Sequence, residues 1–177
     1  MKREISISIK RYLIIFLLAS ITFLVSRQLR VHFENAQEPI LKSFPTHVEF
    51  EKLDQNKVTS EEILKDQSVL FVHFWGTWCA PCEAELPDII KLMSKLKNSK
   101  LKFLLIASND DKKNVLKFMN KFNFPKEAQV LLDPKGEIMK RFGTVKVPET
   151  YLFNIDGKIL KKFVGPQRWL DFNSTDF

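Results

Sequence analysis

Of 177 residues only two are cysteine, three histidine and five glycine, and each scarcity closes off some chemistry. With Cys79 and Cys82 alone, no second cysteine pair exists to complete the roughly four ligands of a structural zinc, and no third cysteine remains to carry a lipid anchor. No Cys-x-x-Cys-His occurs, so haem has no covalent attachment site. Internal repeats and low-complexity runs are absent. An excess of positive charge on the body is lacking too, although the formal net charge is +7. Residues 1–30 hold six basic side chains against Glu4 alone, a net of +5, which leaves 22 basic and 20 acidic residues for the rest. A nucleic-acid binder concentrates basic residues on its folded body; no nucleic-acid partner is expected.

What is present centres on Phe74-Trp75-Gly76-Thr77-Trp78-Cys79-Ala80-Pro81-Cys82. Val69 to Phe74 reads as a buried strand. After the cysteines, Leu86, Ile89, Ile90, Leu92, Met93 and Leu96 recur at helical spacing. The pair therefore sits where a strand hands over to a helix, with Cys79 near the N-cap and Pro81 in the first turn, where a missing N–H costs little. A thiolate there faces unpaired backbone N–H groups, so Cys79 is expected to ionise readily and attack. Cys82, one turn further in, is placed to resolve the mixed disulfide. A zinc half-site and a passive disulfide are the plainer alternatives.

Tyr12 to Val25 is the one long uncharged apolar run, flanked by Lys10-Arg11 and Arg27. At about 1.5 Å per residue it covers about 21 Å, short of a roughly 30 Å hydrocarbon core, so spanning needs the flanking cations to snorkel. A signal peptide is the alternative, although no Ala-x-Ala-like cleavage site precedes Arg27. The charge bias places the N-terminus in the cytoplasm and the body outside the cytoplasmic membrane. Expected are a cytoplasmic start and transmembrane anchor at 1–26, a tether at 27–45, and a domain at 46–177.

Within that domain, Val48–Leu53 and Lys57–Thr59 read as a hairpin, and Ser60-Glu61-Glu62 as a helix start. Pro87 is expected to kink the helix after Cys82. Leu101–Ser108 reads as a second buried strand. Asn109-Asp110-Asp111 caps a helix carrying Val115, Leu116, Met119 and Phe122. Val130–Leu132 is a strand, Asp133 to Gly136 a turn, and Ile138–Phe142 a short helix ended by Gly143. Glu149–Asn154 and Lys158–Val164 form a hairpin through Asp156-Gly157. The fold class is α/β: a central mixed sheet flanked by helices, with an N-terminal hairpin and an inserted helix.

FWGTWCAPC with EAELP, ASND, VLLDPKG and RFGTVKVPETYLFNIDGKI together resemble the thioredoxin superfamily over about residues 44–170. The narrower resemblance is to its membrane-anchored extracytoplasmic branch, the TlpA/ResA/DsbE-type thiol–disulfide proteins. That resemblance implies a thioredoxin fold, a nucleophilic Cys79, and a cis-proline at Pro148 that lets the backbone of Val147 pair with an extended substrate beside Cys79. It associates Glu85, one helical turn after Cys82, with tuning of the thiols; a solvated acid at the helix start is the plainer reading. Glu149 matches an acid in the GAPET-like segment of cytochrome c maturation members, and is expected to add charge near the thiols and help choose partners. Trp78 is the aromatic side chain expected to touch substrate.

His73 departs from the family. Six residues before Cys79, it takes the place where thioredoxins resemble one another in carrying a buried Asp. It reads either as a proton relay for Cys82 or Glu85, or as a core histidine satisfied by backbone. The ending departs too, since Gln167 to Phe177 allows about three turns at most.

The function so implied is a membrane-tethered thiol–disulfide oxidoreductase. It reduces disulfides of exported proteins such as apocytochrome c and is recharged by a membrane thiol electron donor, with no cofactor or metal. Two alternatives stay open, a disulfide oxidant or isomerase and a metal-delivery module on the same fold. Against the latter, copper carriers of related fold resemble Cys-x-x-x-Cys with a distant downstream His. No His follows His73.

Overall fold

The computed structural model describes residues 2–36, 41–97, 99–125 and 128–172, with side chains from residue 9 onward except 29–36. It divides into an N-terminal unit ending at Pro39 and a second unit from Ile40.

The first unit is a single helix, α1 (Lys2–Ala36). Its stretch Ile9–Gln28 is long and apolar enough to cross a membrane, about 30 Å at 1.5 Å per residue. That exceeds the reach of Tyr12–Val25 because the flanking residues continue the helix. Successive residues from Tyr12 to Leu18 are all exposed, so the apolar surface wraps the whole circumference, as lipid demands. The hydroxyls of Ser20, Thr22 and Ser26 donate to carbonyls of Phe16, Ala19 and Phe23 at 2.8–2.9 Å, so these three polar groups are satisfied within the helix. The helix occupies the first ten residues of the expected tether, and 37–40 lie outside the described residues.

The second unit is built on a seven-stranded sheet. Its strands are β1 (Glu49–Lys52), β2 (Lys57–Thr59), β3 (Val69–Trp75), β4 (Leu101–Ser108), β5 (Gln129–Asp133), β6 (Glu149–Phe153) and β7 (Ile159–Val164), in spatial order β2-β1-β5-β4-β3-β6-β7. β3, β4 and β5 run parallel, and the two outer hairpins are antiparallel to their neighbours, which makes the sheet mixed. Parallel strands need crossovers. These are α3 (Ala80–Leu96) between β3 and β4, and α4 (Lys112–Met119) between β4 and β5. Two short helices, α2 (Ser60–Lys65) and α5 (Glu137–Arg141), lead into β3 and follow β5.

β3 reads as a nearly unbroken apolar run because both its faces are covered. Phe71 and Trp75 join Leu86, Ile89, Leu92, Phe118 and Trp169 on one side, while Leu70, Val72 and Phe74 join Phe44, Phe50, Phe142 and Tyr151 on the other. α2 starts in a full capping box: Thr59 accepts the Glu62 N–H, and the Glu62 carboxylate accepts the Thr59 N–H. Pro87 sits inside α3, which continues to Leu96. In α4 the buried apolar positions are Val115 and Phe118, one turn apart, whereas Leu116 is exposed.

Candidate active site

β3 ends at Trp75 and α3 begins at Ala80, so four residues carry the chain from sheet to helix. Cys79 is the N-cap of α3: its backbone is extended, and its Sγ accepts the Cys82 N–H at 3.3 Å. The two cysteines are joined in a disulfide, with Cα atoms 5.3 Å apart. Pro81 lies in the first turn, where its missing N–H leaves nothing unpaired.

The connecting loop is held by a residue that sequence reasoning treated only as part of a cap. Buried Asp110 accepts the Thr77 N–H at 2.6 Å and the Asp111 N–H at 3.0 Å. Trp78 stands out from this loop at 57% exposure while its indole N–H reaches the Ser108 carbonyl at 3.3 Å. Gly76 makes the arrangement possible, since a Cβ there would lie 2.6 Å from Trp78 Nε1. Across from the loop, the Val147–Pro148 peptide is cis. Pairing of β6 with β3 begins only at Glu149↔Phe74, so Val147 lies beyond the last ladder pair.

Beneath the dithiol, on the face shared by Cys82 and Phe71, lie His73 and Glu85. His73 is 1% exposed, and its Nδ1 is 2.8 Å from Thr150 Oγ1, the residue directly opposite it on β6. Glu85 is 5% exposed; its Oε2 accepts the Gln167 N–H and the Trp169 indole N–H, both at 2.9 Å. Its other oxygen, Oε1, lies 3.5 Å from His73 Nε2 and has no hydrogen-bond partner. The spacing would count as an ion pair if both groups were charged, but burial opposes both charges. Desolvation pushes the His73 imidazole down to about 3 and raises the Glu85 carboxyl above its ordinary range, the latter only partly offset by the two N–H donors. The pair is therefore an uncharged imidazole beside a carboxyl that holds its proton more tightly than usual. One-turn spacing set Glu85 near Cys82, and the family resemblance put His73 beneath the pair; the structure brings the two side chains to 3.5 Å. Thr150, Gln167 and Trp169 required register and tertiary contact.

Glu149 stands differently from the expectation of an acid beside the thiols. Alternation along β6 turns it, with Tyr151, to the opposite face of the sheet from Thr150. There it is 2% exposed, accepts the Tyr151 hydroxyl at 2.8 Å and pairs with Lys162 at 3.1 Å. Its contacts are internal. Glu83, read as a surface acid, is exposed and pairs with Lys121 at 3.7 Å. The last described element is a single turn of 3-10 helix, Trp169–Asp171, in which Trp169 is buried and Leu170 exposed, followed by buried Phe172; 173–177 lie outside the described residues. Among the described residues no three His, Cys, Asp or Glu side chains gather into a metal-binding group.

The chain is similar to known proteins over part of its length. The chain is 33% identical over 98 residues to the thiol-disulfide oxidoreductase ResA of Bacillus thuringiensis subsp. konkukian, covering 55% of this chain and 56% of that one. Over 100 residues it is 34% identical to the sporulation thiol-disulfide oxidoreductase A of Bacillus subtilis, covering 54% and 58%. The chain thus spans a little over half the length of the curated relatives it matches. Among solved structures, StoA from Bacillus subtilis superposes with a TM-score of 0.57 at 25% identity, covering 71% of this chain and 92% of that one. A thiol:disulfide interchange protein DsbE from Chlorobium tepidum gives 0.61 at 24%, covering 71% and 86%, and speaks to the thioredoxin-like fold alone. The Redoxin family profile matches residues 41–176, and by that match, together with the sheet order and the Cys79–Cys82 pair, the chain belongs to the Redoxin family.

Proposed function

We propose that the chain is a thiol–disulfide oxidoreductase tethered by α1 to the cytoplasmic membrane, working in the reducing direction on proteins outside it. The observation that carries this reading is the Cys79–Cys82 disulfide at the N-cap of α3, with Cys79 outermost and Cys82 one turn inside. Relatives named as thiol-disulfide oxidoreductases support it.

In the reduced state, the Cys79 thiolate is stabilised by the free N–H groups of the first helical turn. It attacks a client disulfide; one S–S bond breaks, Cys79 becomes bonded to one client sulfur, and the other client sulfur leaves as a thiolate that takes up a proton. Glu85 then accepts the proton of the Cys82 thiol, and the Cys82 thiolate attacks Cys79 Sγ. The Cys79–Cys82 disulfide forms, and the second client sulfur departs and is protonated from Glu85. Two electrons pass to the client, which ends with two thiols. A membrane thiol donor returns this chain to its reduced state. The backbone of Val147, beyond the last β3–β6 ladder pair, receives the client backbone, and exposed Trp78 contacts its side chains. Apocytochrome c, whose cysteines must be reduced before haem attachment, is the client class.

A Cys82→Ser variant stops the cycle at the mixed disulfide, so clients accumulate covalently bound to Cys79. Trapped apocytochrome c would support the client; trapping of other exported proteins alone would replace it. A reduction potential near the roughly −120 mV of a strong oxidant, instead of the roughly −270 mV of a strong reductant, would reverse the direction.

A further inference from the structure

Two donors converge on one oxygen of Glu85, and both come from the C-terminal turn 82 and 84 residues away. The Gln167 N–H and the Trp169 indole N–H occupy Oε2, so a proton on that oxygen would displace one of them. Oε1 is buried, unpartnered and directed at His73 Nε2. Only there does a proton add a hydrogen bond without removing one, and a buried acceptor gains most from it.

We propose that Trp169, together with the backbone of Gln167, acts as a positioning residue that assigns the exchangeable proton of Glu85 to Oε1, facing His73. The C-terminal turn thereby controls the proton that Glu85 exchanges with Cys82. The inference rests on that proton-exchange reading of Glu85.

The line Trp169–Glu85–His73–Thr150 can hold either proton count with every member satisfied. When Glu85 is protonated, Oε1–H donates to His73 Nε2, and Nδ1–H donates to the Thr150 hydroxyl. When Glu85 has passed its proton to Cys82, the imidazole takes a proton from solvent at Nε2 and releases one from Nδ1, its own count unchanged, so that Nε2–H donates to Oε1 and Nδ1 accepts the Thr150 hydroxyl proton. His73 changes tautomer and remains uncharged in both. Among the described residues, the charged group that reaches the turn from α3 is Lys95, whose Nζ donates to the Phe172 carbonyl at 3.2 Å. From α3 the facing group is Cys82 and from β3 it is His73; β6 contributes Thr150, and β4 and β7 contribute Phe103 and Phe163. On the turn itself, Arg168 and Asp171 are exposed and pair with each other at 3.4 Å. Trp169 is held in place by edge contacts with Phe71 and Phe163 at 4.9 and 5.2 Å between ring centres.

The test uses the full chain in detergent micelles with Cys79 loaded as a glutathione mixed disulfide, and follows glutathione release by Cys82 against pH. The transition belonging to Glu85 is the one that Glu85→Gln removes. Trp169→Phe keeps an aromatic ring and removes one donor that favours the carboxylate, so that transition is expected to move up by about one pH unit. In the Glu85→Gln background Trp169→Phe should leave the profile unchanged, whereas a packing role alone would alter both backgrounds equally. A Glu85 transition unmoved by Trp169→Phe overturns the positioning role and leaves the Glu85 reading standing. A profile that Glu85→Gln does not change overturns both. Should Trp169→Phe fail to fold, the Trp169 indole N–H resonance of the 15N-labelled chain decides. Movement at the Glu85 midpoint in the wild-type chain, lost in Glu85→Gln, supports the positioning role, and a pH-independent resonance overturns it.

Discussion

Acid should destabilise this fold through His73 in particular. The imidazole titrates near 6.5 when exposed and near 3 in the fold, where burial disfavours the cation. A group whose folded value is depressed contributes its full stability above the unfolded value and loses it as pH falls toward the folded one. The window is therefore about pH 6.5 down to pH 3, at about 1.4 kcal/mol per pH unit. Between about pH 7 and pH 4.5 the loss is about 3 kcal/mol, a large part of the 5–15 kcal/mol that holds a typical domain. His73 is 1% exposed, so solvent screening does not discount the figure. Glu85 acts with the opposite sign. Its folded value is raised, so its contribution is present below the unfolded value and is lost as pH rises through the folded one. A Glu85→Gln background removes that opposing effect. The assay is urea unfolding of the oxidised full chain at both pH values, with and without His73→Asn. The chain carrying His73 should lose about 3 kcal/mol more on acidification than the one carrying Asn. Equal losses would refute the assignment of a buried, neutral imidazole.

Three further outcomes follow from individual contacts. Lys162→Met leaves Glu149 buried with only the Tyr151 hydroxyl as partner, and should lower unfolding stability by about 3 kcal/mol, with recovery when Glu149→Gln is added. Gly76→Ala puts a methyl 2.6 Å from the Trp78 indole, and should displace that ring and break its bond to the Ser108 carbonyl. The change should appear in Trp78 fluorescence and in slower client reduction, with little loss of stability. Thr59→Ala removes the side-chain half of the α2 capping box and should cost about 1 kcal/mol in the same unfolding assay.

Much of the sheet was legible because each central strand carries a short, nearly continuous apolar run bounded by turn residues. Val69–Trp75 and Leu101–Ser108 could hardly be helices at that length. The inner end of the site was legible in two ways: the helical period sets Glu85 one turn from Cys82, and the family resemblance, not periodicity, put His73 beneath the pair. Glu149 misled because its neighbour Pro148 lies at the site, while one further step along a strand reverses the face. Helix α4 misled in a milder way: Leu116 and Phe118 are both apolar, and only packing against Trp75 decides that Phe118 turns inward. Trp169 was legible as an apolar residue seeking a core. Its indole N–H lies 84 positions along the chain from the buried carboxylate it satisfies, a separation no local period spans.

The charge state under the dithiol bears on the direction of electron flow. A disulfide protein becomes a strong oxidant when its reduced, thiolate form is specially stabilised. A cation beneath the cysteines would supply that stabilisation, and His73 is the side chain in position to be one. Desolvation denies it the charge at any pH above about 3. The neighbouring Glu85 is either protonated and neutral or ionised and negative, and neither state favours a thiolate close by. The N-terminal turn of α3 remains as a source of positive potential for the reduced form. An ionised Glu85 therefore tilts the couple toward the disulfide and a protonated one supplies no charge against it, the sense that the proposed reducing direction requires. Replacing Glu85 by Lys would reverse that sign, and the potential of the Cys79–Cys82 couple should then rise toward the oxidants. A potential that stayed put or fell would show that charge beneath the cysteines does not set the direction.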